Sequence, residues 1–347
     1  MTANANTSSQ RRAWVVVLTG VASMMVALDT VVVATALSTI RLDLHASVSQ
    51  LEWTVNAYNL SFAVLLMTTA AIGDRFGRRR VFVFGLGLFS LASAACALSP
   101  NVGLLIAARA VQGAGAACVL PLALALLTSA FPPEKRGTAI GLFSAVTGIS
   151  VAAGPIVGGA ITQGIEWSWI FWVNVPIGLL AIPLVLTRID ESFGRRVALD
   201  IPGVALITGS ALGFVWGLVR GNSAGWGSAE VLGALVAGAV LAVAFVRWEL
   251  RAREPMLPMG FFRSRTFTAG NAAIFFVLGS LFSDVFFFAQ LLQTGLHYDV
   301  LQTGLRLMVW TSTFIIVAPG VGALVDRIGE RPLMVAGLLI QCGGTAW

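Results

Sequence analysis

Long apolar runs recur along the whole of this 347-residue chain and are separated by short polar breaks. Most runs contain about 18–23 residues, and a helix of that length, rising about 1.5 Å per residue, crosses a hydrocarbon core about 30 Å thick. The runs lack the alternation of apolar and polar residues that membrane β-strands show. Because lipid cannot satisfy backbone hydrogen bonds, helices are the remaining way to span it. The sequence therefore predicts an all-α polytopic membrane protein.

Charged residues make up only 11% of the chain and hydrophobic residues 57%, with a mean hydropathy of +0.87. A soluble domain carries about 25% charged residues, so this composition excludes a water-soluble protein. Cys96, Cys118 and Cys342 lie inside apolar runs without the spacing of metal ligands, which predicts small buried side chains and no metal site. The sequence also lacks a Walker loop, a zinc-protease motif and a nucleophile elbow, so we predict neither ATP hydrolysis nor enzymatic activity.

The apolar runs and the polar residues between them predict eleven spans. The eleventh run is still apolar where the sequence stops at Trp347, so we expect the native chain to continue for several more helices. The predicted helices cover about 14–36, 52–72, 81–99, 102–126, 138–162, 168–187, 201–220, 229–248, 267–292 and 302–325, and a last one begins near residue 332.

The net charge of +6 indicates membrane topology rather than a nucleic-acid partner. Of the 22 lysines and arginines, 18 fall on the same side of the predicted spans as the amino terminus. Only Arg41 and Arg220 fall on the other side, while Arg109 and Arg306 lie in or at the edge of spans. Basic residues collect in the cytoplasmic loops of membrane proteins. We therefore predict a multi-pass protein of the cell (inner or plasma) membrane with a cytoplasmic amino terminus and no nucleic-acid partner.

A six-residue pattern, D-R-x-G-x-R, occurs twice, at residues 74–79 and 326–331. Each copy forms a short turn between two predicted helices, and internal repeats of this kind are typical of transporters built from related halves. Eight predicted helices separate the copies where two six-helix halves require six, which indicates two inserted helices. The sequence thus divides into an amino-terminal six-helix bundle (1–190), two inserted helices (200–250) and an incomplete carboxy-terminal bundle (266–347).

Several segments resemble motifs of the major facilitator superfamily, and specifically of its fourteen-helix drug:proton antiporter branch. Helix 4 carries R-x-x-Q-G-x-G at 109–115, and helix 5 carries Gly148 followed by G-P-I-V-G-G at 154–159. The others are the loop motif at 72–80, the helix 6 entry at 167–178 and a stretch of helix 1 at 28–38. The resemblance covers nearly the whole chain. It implies a major facilitator fold in its fourteen-helix variant, with about eleven spans present in this sequence.

Asp29 in helix 1 and Arg109 in helix 4 are the candidate proton-coupling residues. An arginine near the bilayer centre costs about 2.5–3.5 kcal/mol on insertion scales, so it requires a partner or a wet cavity. The resemblance implies that Arg109 tunes a nearby carboxylate, and a carboxyl group that gains and loses a proton is the simplest proton carrier. The alternatives are a structural arginine bound to backbone carbonyls, and an aspartate at the interface or in a hydrogen bond between packed helices.

Asp284, the other acid well inside a predicted span, is a candidate substrate-binding residue, because an acid among phenylalanines suits an amphipathic cation. The alternative for those phenylalanines is ordinary packing against lipid. The small residues of helix 5 let another helix approach closely, and they form either a gating seam, as the resemblance implies, or tight packing alone. The residues of this antiporter motif are Gly148, Gly154, Pro155, Gly158 and Gly159.

The two copies of the loop motif carry charges that, by the resemblance, form a latch between the halves of the transporter. The alternative is a solvated, positively charged loop. The residues of this motif are Gly73, Asp74, Arg75, Gly77, Arg78 and Arg79 in the first copy, and Asp326, Arg327, Gly329 and Arg331 in the second.

The predicted function is proton-driven export of small hydrophobic or amphipathic compounds, such as drugs or antibiotics, by alternating access. Coupled uptake or exchange of a metabolite on the same fold is the alternative. A membrane receptor would need a signalling domain, for which the visible loops leave no room. The predicted partners are a small-molecule substrate, protons and the lipid bilayer. We expect a monomer without a cofactor, with the proton gradient as its energy source.

Overall fold

A computed structural model describes residues 2–194, 200–253, 257–298, 302–307 and 328–346, together with residues 255, 309, 313, 317, 321 and 324. Within these residues the secondary structure is helical, and no strand is present. The helices are α1 (Thr2–Asp43), α2 (Val48–Phe76), α3 (Arg78–Ala97), α4 (Val102–Ala130), α5 (Pro133–Gly164), α6 (Trp169–Trp172), α7 (Asn174–Arg188), α8 (Ile201–Ala224), α9 (Ala229–Glu249), α10 (Arg265–Gln290) and α11 (Glu330–Ala346).

Seven membrane-spanning segments can be assigned within the described residues from length and composition. Six of them are α2, α3, α4, α8, α9 and the residues Gln10–Ala34 of α1, and the seventh is Trp169–Arg188, which joins α6 and α7. The prediction of an all-α polytopic membrane protein is therefore confirmed. The count of eleven spans stays a prediction. The helices predicted at 138–162, at 267–292 and from 332 are observed as α5, α10 and α11 but are not among the seven, and part of the predicted tenth helix (302–325) lies outside the described residues.

Helix α4 lies between α2 and α3, and glycines allow both neighbours to approach it closely. A Cβ added at Gly115 would lie 2.6 Å from the backbone nitrogen of Phe89 in α3, and one added at Gly113 would overlap the carbonyl oxygen of Tyr58 in α2. Small residues at a contact let membrane helices pack backbone to backbone. As a result α4 is buried along most of its length, including its polar residues Arg109 and Gln112.

Helices α1 and α5 pack together through small residues on each partner. A Cβ added at Gly154 of α5 would lie 2.6 Å from Cγ1 of Val31, and one added at Gly20 of α1 would lie 3.5 Å from Cγ1 of Val146. Each glycine therefore accommodates a valine of the other helix. Because Val31 is two residues from Asp29, this contact fixes the part of α1 that carries the candidate proton-coupling acid.

Helices α8 and α9 form a close hairpin that packs against the outside of α2. The hydroxyl of Ser210 in α8 donates to the carbonyl of Gly238 in α9 at 2.9 Å. The rings of Trp53 in α2 and Trp216 in α8 lie 5.6 Å apart between centroids, which gives the hairpin its contact with the first bundle. The hairpin matches the two helices predicted as an insertion at 200–250, while the three-part division of the chain stays a prediction.

The observed helices begin and end at different residues from the predicted ones. Helix α1 spans Thr2–Asp43 where 14–36 was predicted, because hydropathy marks the part within lipid and the helix continues beyond it. The predicted single helix at 168–187 is divided at Val173 into α6 and α7. The last predicted helix begins at Glu330 rather than near 332, and the preceding Gly329 has a φ of +81°.

Candidate functional site

Asp29 and Arg109 form an ion pair inside the first bundle. Nη1 of Arg109 donates to Oδ2 of Asp29 at 2.5 Å, and the two residues are 1% and 2% exposed. Asp29 is carried by α1 and Arg109 by α4. The partner that an arginine in a membrane span requires is thus a carboxylate on another helix. The structure therefore brings together the two residues predicted as a proton-coupling pair.

Two amide side chains and a serine complete the surroundings of the carboxylate. Nε2 of Gln112 and Nδ2 of Asn174 both donate to Oδ1 of Asp29, at 2.8 and 3.0 Å. The same two nitrogens donate to the hydroxyl oxygen of Ser93, each at 2.9 Å. These four residues and Arg109 are buried, and they come from α1, α3, α4 and α7. One charged network therefore joins four helices of the bundle.

Arg109 has acceptors besides Asp29. Its Nη1 also donates to Oε1 of Gln112 at 2.7 Å, and its Nε donates to the backbone carbonyl of Thr54 at 3.2 Å. The guanidinium carbon lies 4.1 Å from the ring centroid of Tyr58 and 5.8 Å from that of Phe171, distances at which a cation and an aromatic face attract. The guanidinium is therefore held by α2 and α4 even apart from its ion pair with α1.

Three N–H groups of the described residues point at the buried carboxylate of Asp29. They belong to Arg109, Gln112 and Asn174, and one of them is carried by a cation. Protonation of Asp29 would remove the charge that attracts Arg109, so proton binding and the contact between α1 and α4 depend on each other. Among the residues searched, no group of histidines, cysteines and acids suits a metal ion.

Gln112, Asn174 and Ser93 belong to the site but were not predicted as site residues. Gln112 could have been predicted from the sequence, because a spacing of three residues places it on the same face of helix α4 as Arg109. Asn174 lies in a segment that resembles a family motif, although nothing in its sequence pairs it with Asp29. Ser93 stands in an apolar run of small residues without any distinguishing signal.

Asp284 lies in α10 and has no part in the network around Asp29. Its side chain is partly exposed, and Oδ2 accepts a hydrogen bond from Ser280, one turn earlier on the same helix, at 3.4 Å. A role of Asp284 in substrate binding therefore stays a prediction.

The described glycines of the predicted antiporter motif lie in α5. Gly154, Gly158 and Gly159 are buried, and Gly148 is partly buried. Gly154 provides the close approach to Val31 of α1, so close packing is observed while gating stays a prediction. The side chain of Pro155, the remaining motif residue, lies outside the described residues.

The first copy of the loop motif is bound to the end of α7 and to the chain segment that follows it. Arg78 donates to Asp74 at 2.7 Å, and Arg79 donates to the carbonyls of Leu186 and Ile189 at 3.1 and 3.0 Å. Glu191 accepts the backbone N–H groups of Arg79 and Arg80, at 2.8 and 3.3 Å. Free N–H groups at a helix start favour a carboxylate. Glu191, which the sequence analysis missed, therefore caps α3 from 112 residues away.

Other residues of the first copy have separate roles. Gly77 has a φ of +113°, a conformation that favours glycine, and a Cβ there would also lie 2.8 Å from a carboxylate oxygen of Glu191. A Cβ at Gly73 would overlap Leu122 of α4. The guanidinium of the exposed Arg75 lies 5.4 Å from the ring centroid of Phe76.

The second copy shares one geometric feature with the first. Gly329 has a φ of +81°, and α11 begins directly after it, as α3 begins directly after Gly77. Arg331 donates to the hydroxyl of Thr266 at 3.4 Å. Asp326 and Arg327 lie outside the described residues. A charged latch between the two halves therefore stays a prediction.

Comparison with known proteins identifies the family. The sequence model of the Major Facilitator Superfamily matches residues 19–347. The chain belongs to this superfamily. Superfamily members are membrane-embedded transporters that bind small molecules, in accordance with the prediction of a transporter and not an enzyme.

Two relatives in the superfamily carry names that refer to resistance. The chain is 37% identical to the tetracenomycin C resistance and export protein of Streptomyces glaucescens over 95% of its length, and it spans 62% of that relative. It is 35% identical to the multidrug resistance protein Stp of Mycobacterium tuberculosis (strain CDC 1551 / Oshkosh) over 93% of its length, and it spans 60% of that relative. The chain thus spans about three fifths of the length of these superfamily members.

A solved superfamily structure confirms the fold. The proton:xylose symporter XylE bound to 6-bromo-6-deoxy-D-glucose matches with a TM-score of 0.62 at 15% identity, over 94% of this chain and 71% of that one. This similarity shows that the chain adopts the all-α fold of the superfamily.

Proposed function

We propose that this chain acts in a proton-coupled antiporter that exports small hydrophobic or amphipathic compounds, such as drugs or antibiotics, by alternating access. The buried pair of Asp29 and Arg109 carries the proposal, because ionisable residues inside a membrane bundle are costly to bury and typically mark proton, ion or substrate pathways. The two relatives named for resistance and export support the direction of transport and the class of compound.

Asp29 is the proposed proton carrier and Arg109 its counter-charge. When Asp29 takes up a proton, the electrostatic attraction between α1 and α4 falls. Arg109 keeps its hydrogen bonds to Gln112 and to the carbonyl of Thr54, so it stays bound when the ion pair weakens. Helix α1 then becomes free to move relative to α4, and its contact with Gly154 passes this movement to α5.

The finer features of the proposal follow the family resemblance. We propose a fourteen-helix variant in the cell membrane, with eleven spans in this sequence, a cytoplasmic amino terminus and a monomeric state. The proton gradient supplies the energy, and no cofactor takes part. Asp284 contacts the substrate, the glycines of α5 form a gating seam, and the two loop motifs latch the halves together.

The test is transport into everted membrane vesicles with an acidified interior. Suitable probes are tetracenomycin C, because a relative is named for its export, and a panel of fluorescent amphipathic dyes. We expect accumulation of at least one probe by the wild-type protein and its loss in Asp29→Asn, which keeps the shape of the side chain but cannot ionise. The variant should still equilibrate that probe down its gradient.

Asp43→Asn is the matched control, since it makes the same change at the exposed end of the same helix, where the carboxylate binds Nε1 of Trp167 at 2.8 Å. It should accumulate the probe like the wild type. Proton-driven accumulation by Asp29→Asn at the wild-type rate would refute the role of Asp29. Uptake by intact cells without accumulation in everted vesicles would favour coupled import of a metabolite instead.

A further inference from the structure

Two carboxyl groups meet where the open ends of the α8–α9 hairpin come together. Asp200 caps α8, and its Oδ1 accepts the backbone N–H of Gly203 at 2.9 Å and Nε1 of Trp248 at 2.7 Å. Glu249 is the last residue of α9, and its Oε2 accepts the backbone N–H of Leu257 at 3.0 Å. Each carboxyl group therefore uses one oxygen to hold a helix end or the connection that leads to α10.

The other two oxygens, Oδ2 of Asp200 and Oε1 of Glu249, both face the small space beside Gly203, and the two side chains are within hydrogen-bonding reach of each other. A Cβ added at Gly203 would overlap the first and would lie 3.0 Å from the second. Both atoms are buried, and no donor within the described part of the chain reaches either one. Glu249 is only 2% exposed. Its Oε1 is therefore a buried acceptor without a donor, and the group beside it is the carboxyl group of Asp200.

The described positive charges near this pair do not neutralise it. Within the described residues, neither carboxyl group forms an ion pair with an arginine or a lysine. Arg247, Arg251 and Arg253, the basic residues nearest to Glu249 in the chain, have exposed side chains, while Arg195 and Arg196, which precede Asp200, lie outside the described residues. Two adjacent carboxylates in a buried position repel each other strongly. A single proton between the facing oxygens removes one charge and supplies the missing donor.

We propose that Asp200 and Glu249 share one proton and form a proton-binding site separate from Asp29. While the proton is bound, the pair holds the start of α8, the end of α9 and the connection at Leu257 together. When the proton leaves, the two carboxylates repel each other and Glu249 releases the N–H of Leu257. The site thus makes this junction sensitive to pH. The proposal does not depend on which compound is transported or in which direction.

Hydrogen–deuterium exchange of the protein in lipid nanodiscs tests the junction at several pH values. We expect residues 250–257 of the wild type to lose protection as pH rises, after correction for the intrinsic exchange rate. Asp200→Asn and Glu249→Gln each place an amide donor between the two groups and imitate the protonated pair. Both variants should therefore keep protection at every pH, and asparagine still caps α8. Two independent variants keep the test valid if one fails to fold.

The control is Glu230→Gln, the same change at the other end of α9, where the exposed glutamate is paired with Arg220 at 3.1 Å. It should show the pH dependence of the wild type. Infrared difference spectra should also show a protonated-carboxyl band that disappears at high pH in the wild type and is absent from Glu249→Gln. Protection that is independent of pH in the wild type would overturn the proposal. So would protection that depends on added sodium or magnesium ions rather than on pH.

Discussion

At the scale of single residues, Asp29 and Arg109 contribute to stability chiefly through each other. Transfer of either charge alone into the bundle would be costly, and the mutual attraction with its amide hydrogen bonds offsets that cost. Removal of one partner leaves an uncompensated buried charge, whereas removal of both does not. This asymmetry distinguishes a coupled pair from two independent polar residues.

A double-mutant cycle measures the coupling of the pair. We expect Arg109→Gln to lower the free energy of unfolding by about 3–5 kcal/mol, because the carboxylate of Asp29 then stays buried without its cation. Adding Asp29→Asn should recover part of the loss, with a coupling energy of about 0.5–3 kcal/mol. Unfolding in detergent micelles measures all four proteins. Additive effects of the two substitutions would contradict the pairing, and the exposed pair of Arg220 and Glu230 serves as a reference for which we expect weaker coupling.

At the scale of helices, the contact between α1 and α5 links the candidate proton site to the predicted gating seam. Gly154 lies against Val31 at a distance that leaves no room for a side chain. The backbone of α5 can therefore lie close to the segment of α1 that carries Asp29. Any enlargement at this point should separate the two helices.

Gly154→Ala should therefore lower stability by about 1–3 kcal/mol, as overpacking of a close contact does, and should reduce proton-driven export. Val31→Gly in the same protein should restore part of both properties, because it removes both Cγ1 and Cβ of Val31, which the added methyl group would meet at 2.6 and 2.7 Å. Thermal unfolding and vesicle transport provide the two measurements. Gly141→Ala is the control on α5, because a Cβ at that position would meet nothing within 4 Å. Equal losses at Gly141 and Gly154 would show that the contact with Val31 is not the cause.

At the scale of the whole molecule, the distribution of basic residues predicts how the chain lies in the membrane. The loops at Arg79 and Arg263 fall on the predicted cytoplasmic side, and the loops at Asn101 and Asn222 fall outside. Each membrane-spanning helix carries the chain to the other side of the membrane, so successive loops lie on alternate sides. The side on which one loop lies therefore determines the side of every other loop.

Single-cysteine labelling in intact cells tests this orientation. Cys342 is exposed, so the prediction of three buried cysteines is wrong at this position, while Cys96 and Cys118 are buried as predicted. Cys342 is first replaced by serine. An impermeant thiol reagent should then label Asn101→Cys and Ser223→Cys but leave Arg263→Cys unlabelled until the cells are opened. Labelling of Arg263→Cys in intact cells, with protection of the other two, would invert the proposed topology.

The sequence alone determined the helical fold class and most of the elements, because hydropathy and length are properties of each segment by itself. Arg109 was identifiable for the same reason, since an arginine in an apolar run requires a partner whatever surrounds it. The sequence also indicated the two turn glycines, because Gly77 and Gly329 stand at the same place in a repeated pattern. In the structure both adopt a positive φ.

Only the tertiary structure decided which partners these residues have. The rotation of each helix about its axis depends on packing against its neighbours, and this rotation turns Ser93, Gln112 and Asn174 towards Asp29. Glu191 reaches the start of α3 because the chain returns to it after four further helices. Asp200 and Glu249 meet because a close hairpin brings its two ends together. Contacts between distant segments depend on how the helices pack together, and the sequence of one segment alone does not determine that packing.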